Sequence, residues 1–207
     1  IPGDVGSFDT FKCELEIIRV PNATVKQVVN ADPNQIDLDP FFDAIDKATG
    51  DLITTSCGFL SPFQNELEGL CDVPFISSSL RQLEHLKNIY TPSELQIITF
   101  DAAKLGPTHL PIGCEVFNTS VFGLNSDAHL KNIIENNITH IDISKASADI
   151  CAVVRANKKK STKGILLECT NLPPYKTDIR RISDVPIYDI LTAIEKELPD
   201  SVHPYFL

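Results

Sequence analysis

The sequence predicts an α/β fold with two pseudo-symmetric lobes, each a mainly parallel sheet flanked by helices, and an active site between the lobes. Two observations predict this fold. Short β-rich runs alternate with stretches of helical spacing, which is typical of parallel strands joined by helical crossovers. In addition, residues 51–74 and 163–186 resemble each other, which indicates an internal duplication with one copy in each lobe.

The two similar stretches coincide when one is shifted by 112 residues along the chain. Chance can place one cysteine opposite another, but it rarely also places a proline and an Asp-Val-Pro triplet at matching distances. The coinciding pairs are Ile53/Ile165, Cys57/Cys169, Leu60/Leu172, Pro62/Pro174, Asp72/Asp184, Val73/Val185, Pro74/Pro186 and Leu86/Leu198. We predict a first lobe over residues 1–93 plus 189–207 and a second lobe over residues 94–188.

The strands are predicted from β-rich runs, and the helices from capping residues and apolar spacing. Asp39 offers an N-cap and Pro40 a first-turn residue, and prolines also mark helix starts near residues 61 and 173. Further helices are predicted from apolar spacing near residues 80–89, 130–134, 146–154 and 190–198. Strands are predicted over residues 11–20, 52–56, 73–76, 95–100, 115–122, 164–168 and 185–188.

Composition and charge exclude several classes of function. The net charge of −10 argues against nucleic-acid binding, which needs a basic surface. No apolar run approaches the roughly 20 residues of a membrane-spanning helix. The six cysteines form no CxxC pair, so neither a zinc site nor a thioredoxin-like motif is indicated. Free thiols in a reducing compartment are the simpler interpretation, and we predict a cytoplasmic protein without cofactor or metal.

Cys57 and Cys169 are the candidate catalytic residues. Each follows a predicted parallel strand at its carboxyl end, where such sheets bind ligands. Two lobes related by a pseudo-twofold axis would place the thiols on opposite sides of one cleft. A base on one face of a carbon and an acid on the other can invert that carbon. A helix that begins just downstream of each cysteine is expected to lower the pKa of its thiol.

Residues beside the two cysteines are the candidate substrate-binding groups. Backbone N–H groups at Gly58, Thr170 and Asn171 are expected to stabilise an enolate-like carboxylate, and the absence of a Cβ at Gly58 would let a ligand approach closely. Neutral hydrogen bonds to the substrate are predicted from Thr55, Ser56, Thr170 and Asn171. Asp4, Asp101 and His109 are weaker candidates, because each follows turn or strand-end patterns that are more often structural.

These residues resemble a known family. The segments TTSCGFL (54–60) and LLECTNLPPY (166–175) are similar to the paired cysteine motifs of the aspartate/glutamate/hydantoin racemase superfamily. Residues 1–6 and 185–190 resemble its less characterised members, so the resemblance covers essentially the whole chain. It implies two α/β lobes, opposed acid and base cysteines, and no pyridoxal phosphate or metal.

The chain departs from this family in two places. Members of the family have a strand before the Pro-Gly-Asp segment, whereas this sequence begins at that segment, so the first lobe is predicted to lack its N-terminal strand. Cys57 is followed by Gly58-Phe59, where glutamate racemases have Asn-Thr, and this difference argues against glutamate as the substrate.

The leading prediction is an isomerase, a cofactor-independent racemase or epimerase of an amino acid or related carboxylate. One alternative uses a single cysteine, as in the cis–trans isomerases and decarboxylases of small dicarboxylates. The other is a non-catalytic ligand-binding or redox protein. The predicted partner is a small-molecule carboxylate, without nucleic acid or membrane, and a homodimer is the candidate assembly.

Overall fold

Six short parallel strands form two sheets in the computed structural model, which describes residues 1–207. The smaller sheet pairs β1 (Ile53–Thr54) with β2 (Phe75–Ile76). The larger sheet has the order β4-β3-β5-β6. Its strands are β3 (Leu95–Thr99), β4 (Val121–Gly123), β5 (Gly164–Leu167) and β6 (Ile187–Tyr188). Helices connect the strands, so the predicted α/β class with parallel sheets is confirmed.

Eight α-helices and eight 3₁₀-helices surround these sheets. The α-helices are α1 (Val25–Val28), α2 (Asp39–Ile45), α3 (Gln64–Glu68), α4 (Leu83–Leu86), α5 (His129–Glu135), α6 (Ile143–Asn157), α7 (Lys176–Arg180) and α8 (Ile190–Glu197). The 3₁₀-helices are Phe8–Thr10, Pro33–Gln35, Gly58–Phe63, Ser79–Gln82, Pro107–His109, Glu115–Ser120, Pro173–Tyr175 and Pro204–Phe206. No helix has the length and apolar character required to cross a membrane.

The shift that aligns the two similar stretches of sequence also aligns two strand pairs. Ile53 lies opposite Phe75 between β1 and β2, and Ile165 lies opposite Ile187 between β5 and β6. The backbone N–H of Ile53 donates to the carbonyl of Pro74 at 2.9 Å, and that of Ile165 donates to the carbonyl of Pro186 at 3.0 Å. Each cysteine motif therefore follows the first strand of an equivalent parallel strand pair, β1 with β2 and β5 with β6.

The main core lies around the larger sheet. Every residue of β3 and β5 is buried. β5 is a continuous apolar run, and the polar Gln96 and Thr99 of β3 donate hydrogen bonds within the protein. The leucines of the 79–86 region pack into this core, and the Ser79 hydroxyl donates to the Leu167 carbonyl at 2.8 Å. A second cluster joins α8 to Val5 and Ile76. The predicted lobe boundaries stay a prediction.

Two predicted strands are wrong. Residues 11–20 form no strand, and their one β-bridge joins Phe11 to Val202. Their hydrogen bonds go to loops, since the Lys12 N–H donates to the Ser201 carbonyl and Glu16 accepts from Thr49. Residues 115–120 form a 3₁₀-helix before β4. The buried residues of this helix, Phe117 and Ser120, are three positions apart, which matches its three-residue turn.

A buried ion pair joins α7 to the start of α8. Lys176 Nζ lies 2.7 Å from Asp189 Oδ2, and both side chains are almost fully buried. Neither atom has another hydrogen-bond partner, so each charge is compensated by the other alone. Asp189 also caps α8, because its Oδ1 accepts from the Thr192 N–H at 2.9 Å. The ion pair thus fixes the start of the last helix to α7.

We predict that Asp189→Asn lowers the free energy of unfolding by about 3–5 kcal/mol. Asparagine keeps a cap acceptor for α8 but leaves the buried Lys176 charge without its partner. Urea denaturation measures the change. Asp184→Asn is the matched control, since Asp184 is exposed and its change is expected to cost under about 0.5 kcal/mol. Equal losses in the two variants would contradict the role of the pair.

Candidate active site

One cavity of about 1020 Å³ brings the two cysteine loops together. Residues 13–20 and apolar side chains of α1 and α2 form other parts of its wall. The cavity is large enough for a small-molecule ligand. Among its lining residues are seven of the residues predicted for the site: Thr55, Ser56, Cys57, Gly58, Cys169, Thr170 and Asn171.

Cys57 lies just after β1, immediately before the 3₁₀-helix Gly58–Phe63. The Thr55 hydroxyl shapes this loop, because it accepts from the Cys57 N–H at 3.3 Å and lies 2.7 Å from the Ser77 carbonyl, to which it donates. Thr55 is therefore engaged within the protein, whereas it was predicted to bind the substrate. The thiol lines the cavity and is only partly exposed.

Cys169 lies two residues beyond the end of β5 and is held by Asn171. Its thiol lies 3.7 Å from Asn171 Oδ1, and the Asn171 Nδ2 donates to Asp4 Oδ2 at 2.7 Å. Asp4 also accepts from the Gly6 N–H at 2.8 Å, which fixes its carboxylate in the N-terminal loop. Asp4 therefore does not line the cavity but orients a residue that does.

A direct hydrogen bond joins the two cysteine loops. The Thr170 hydroxyl donates to the Ser56 carbonyl at 2.7 Å, and Thr170 is 2% exposed. This bond uses the side chain of Thr170, which was predicted to bind the substrate. The N–H groups of Gly58 and Thr170 take part in none of the chain's hydrogen bonds. Both residues line the cavity, and both are buried.

Glu168 is a buried acid between the two loops. It is 1% exposed, and the Thr99 hydroxyl donates to its Oε2 at 2.5 Å. Its Oε1 has no hydrogen-bond partner. Burial raises the pKa of Glu168 to about 7, against the opposing effects of the Thr99 hydroxyl and the Phe100 N–H. The group can therefore change its charge near neutral pH.

Gly58 is required by Glu168 rather than by a ligand. A Cβ added at Gly58 would lie 2.0 Å from Glu168 Oε1 and 2.8 Å from the Glu168 carbonyl oxygen. The close approach predicted at this glycine is real, but the group that approaches belongs to the protein. The absence of a Cβ lets the two cysteine loops come into contact.

The thiols are weaker acids than the sequence predicted. Burial, together with the negative charge of Glu168, raises the pKa of Cys57 to about 12 and that of Cys169 well above its ordinary value. The N–H groups of Phe59 and Asn171 oppose this effect but do not reverse it. The helices that follow are only six and three residues long and of the 3₁₀ type, so their dipoles are small.

Asp101 and His109 lie away from the cavity lining. Asp101 pairs with Lys131 at 3.3 Å. His109 is fully buried, accepts from the Gly106 N–H at 3.2 Å through Nδ1, and lies 2.9 Å from the Asn30 carbonyl through Nε2. Burial lowers the pKa of His109, so the ring is neutral and donates to Asn30.

The sequence predictions missed Glu168 and Arg19. Glu168 immediately precedes Cys169 and ends an apolar strand, and this position is the signal that could have identified it. Arg19 is the one basic side chain that lines the cavity.

No group of three or more His, Cys, Asp or Glu side chains comes together in a way that could hold a metal ion.

The fold and site define an α/β protein with two thiols and a buried carboxyl group around one cavity. No protein-family model matches the chain. It is 28% identical over 94% of its length to a protein of Durusdinium sp. clade D named dimethylsulfoniopropionate lyase, of which it covers 68%. It is 26% identical over 68% of its length to dimethylsulfoniopropionate lyase 7 of Emiliania huxleyi, of which it covers 45%.

One solved structure also aligns with this chain. Glutamate racemase from Francisella tularensis in complex with D-glutamate aligns with 77% of this chain and 59% of that chain, at 17% identity and a TM-score of 0.46.

The named relatives correct the predicted function. The racemase or epimerase prediction, and with it the isomerase class, is wrong, since these relatives are named as lyases. The physical reason is that a base which removes a proton can serve an isomerase or a lyase, so a pair of thiols does not distinguish the two classes of enzyme. The alternative of a decarboxylase or cis–trans isomerase agrees with the relatives only in part.

We predict that Gly58→Ala lowers the free energy of unfolding by about 1–3 kcal/mol, because its Cβ would overlap Glu168. Thermal and urea denaturation measure this loss. Gly106→Ala is the matched control, because a Cβ there meets no atom within 4 Å. In a Glu168→Ala background the cost of Gly58→Ala should shrink without vanishing, because the carbonyl oxygen of residue 168 stays 2.8 Å from the added Cβ. An unchanged cost would show that overlap with the Glu168 side chain is not its cause.

Proposed function

We propose that this chain is the lyase unit of an enzyme that eliminates dimethyl sulfide from dimethylsulfoniopropionate. Two observations support the proposal together. The chain resembles proteins named for this activity over most of its length. The cavity also combines thiols able to move a proton with a buried carboxyl group that suits a cationic ligand. The second relative extends well beyond the aligned region, so this proposal concerns the chain and not a whole protein.

The elimination needs one base and no added oxidant or reductant. A thiolate removes a proton from the carbon beside the carboxylate, and the electron pair of that C–H bond forms the new C=C bond. The C–S bond breaks, and its electrons leave with the sulfur as neutral dimethyl sulfide. The products are acrylate, dimethyl sulfide and a protonated thiol. Loss of that proton to solvent restores the base.

Cys169 is the base in this proposal. It follows β5, a fully buried strand, whereas Cys57 follows a strand of two residues. Asn171 holds the Cys169 thiol and is itself held by Asp4. A reacting group on a rigid element keeps the geometry that proton transfer needs. Cys57 then remains the protonated thiol on the other side of the cavity.

The substrate carboxylate would accept from the N–H groups of Gly58 and Thr170. Negative charge grows on that carboxylate as the neighbouring proton leaves, and preorganised N–H donors stabilise such charge. Both N–H groups belong to residues that line the cavity beside the thiols. Arg19 is the one cationic side chain in the cavity lining.

Membership of the aspartate/glutamate/hydantoin racemase superfamily is part of this proposal, supported by the paired cysteine motifs. A cytoplasmic location is also proposed, because all six cysteines are free thiols. A homodimer and the absence of a cofactor stay predictions.

We predict that Cys169→Ser lowers kcat/KM for dimethylsulfoniopropionate by about 10²–10⁴-fold, because a hydroxyl is a far weaker base than a thiolate. Dimethyl sulfide in the headspace and acrylate in solution, released in equal amounts, measure the reaction. Cys57→Ser is expected to lose less, since the elimination needs one base. Cys71→Ser is the control, because Cys71 does not line the cavity. Normal turnover by Cys169→Ser would rule out this cysteine as the base.

We also predict that kcat/KM rises about tenfold per pH unit between about pH 7 and pH 9. The reason is that burial and Glu168 raise the pKa of the Cys169 thiol, so the reactive thiolate fraction still grows across this range. Steady-state rates in buffers of constant ionic strength measure the profile. A plateau above about pH 8 would instead indicate a base with a pKa near that of Glu168, which is about 7.

A further inference from the structure

Glu168 is a buried acid without a cation. None of the seven ion pairs includes it. One carboxylate oxygen accepts from Thr99, and the other, Oε1, has no partner in the protein. Burying a carboxylate without compensation is costly, and a site that keeps one in this state gains when a ligand supplies the missing charge.

The free oxygen lies buried against Gly58, a residue of the cavity wall. A Cβ added at Gly58 would lie 2.0 Å from Oε1, and both Gly58 and Glu168 line the cavity. Cys57 precedes Gly58 and Cys169 follows Glu168, and the charge of Glu168 acts on both thiols, so the carboxyl group is near both of them. No charged side chain shifts the pKa of Glu168; the causes are burial, the Thr99 hydroxyl and the Phe100 N–H.

The charges around the cavity favour a cationic group. Four acidic residues line it, with one basic residue: Glu14, Glu16, Asp51 and Glu168 against Arg19. Glu168 is the acid beside the thiols, and it is recessed, at 1% exposed. Phe59 and Phe100 also line the cavity, and they adjoin Gly58 and Thr99 in the chain.

A recessed carboxylate behind apolar side chains selects a particular kind of cation. A primary ammonium group needs hydrogen-bond acceptors around it, but the acceptor in this wall, the Glu168 carboxylate, is buried. A methylated onium group has no N–H to satisfy, presents methyl groups to apolar side chains, and attracts both a nearby negative charge and aromatic rings. Such a group can occupy this wall without a direct hydrogen bond.

We propose that Glu168 is the counter-charge of a subsite for a methylated onium group, sulfonium or quaternary ammonium, at the wall between Cys57 and Cys169. The proposal deepens the proposed function and rests on it for the identity of the substrate. In that reaction the subsite holds the sulfonium end while the carboxylate end lies at the N–H donors. Glu168 acts on binding and does not take the proton.

The test compares two ligands that differ only in charge. One is 3-(trimethylammonio)propionate, and the other is 4,4-dimethylpentanoate, in which carbon replaces the cationic nitrogen. Calorimetric titration of the wild-type chain at about pH 8 should show the onium ligand binding about tenfold or more tightly than its neutral counterpart. Glu168→Gln should bind both ligands within about threefold of each other, because the charge is gone but the shape and the Thr99 contact remain.

The pH dependence gives a second readout. Glu168 is ionised above its pKa of about 7, so the preference for the onium ligand should be full at higher pH and should fall as pH drops through about 7. Thr99→Val removes a donor to the carboxylate, which raises the pKa and should move this midpoint upward. Thr99→Val also serves as the test variant if Glu168→Gln does not fold. Asp184→Asn, at an exposed acid outside the cavity lining, should leave the preference unchanged.

The outcomes separate the inference from the proposed function. Any one of three results overturns the subsite. The wild-type chain shows no preference for the onium ligand, the preference survives Glu168→Gln, or Thr99→Val does not move the midpoint of its pH dependence. Onium preference that depends on Glu168, without release of dimethyl sulfide, supports the subsite and contradicts the lyase. If the chain releases dimethyl sulfide and its preference for the onium ligand does not depend on Glu168, the lyase is supported and the subsite is contradicted.

Discussion

The contact between the Glu168 carboxyl group and the bare Cα of Gly58 is the constraint on which the site depends. It allows two loops from separate sheets to meet without a side chain between them. The hydrogen bond from Thr170 to Ser56 then becomes short enough to form, and both thiols line one cavity. The same contact leaves a carboxyl group in an apolar environment, where its charge has large effects.

That carboxyl group changes how the two thiols can act. Two cysteines facing one cavity favour a pair of exchanging acids and bases, but a negative charge beside them stabilises their protonated forms. A cationic ligand offsets the charge and makes a thiolate easier to form. A substrate with a positive leaving group therefore suits this electrostatic environment better than an ordinary amino acid with a hydrogen-bonding ammonium group.

Much of the fold could be predicted from the sequence because the chain carries the same local pattern twice. Ile53 and Ile165 pair with their partner strands through equivalent hydrogen bonds, as the repeat indicated. The region 11–20 was not predictable in this way, because its β-rich pattern does not reveal that no neighbouring strand receives its hydrogen bonds. Local pattern fixes what a segment favours, whereas pairing depends on distant residues.

The repeat also indicated which candidate residues lie together, but it did not indicate which reaction they perform. The cysteines and their neighbours were found from the repeat, and the structure brings them to one cavity. Glu168 was missed because an acid at a strand end usually faces solvent, and only the bare Cα of a residue far along the chain makes it a buried group. The reaction was predicted wrongly because residues that remove a proton do not specify whether a leaving group then departs.

The wall formed by residues 13–20 has a consequence for how this cavity can evolve. Its backbone belongs to no sheet, every one of its residues lines the cavity, and most of them are also exposed to solvent. Substitutions there need not preserve a hydrogen-bonded ladder, since loops tolerate sequence change better than the elements they join. Descendants of this chain can therefore acquire new ligand preferences along that wall while the inherited arrangement of thiols and carboxyl group stays intact.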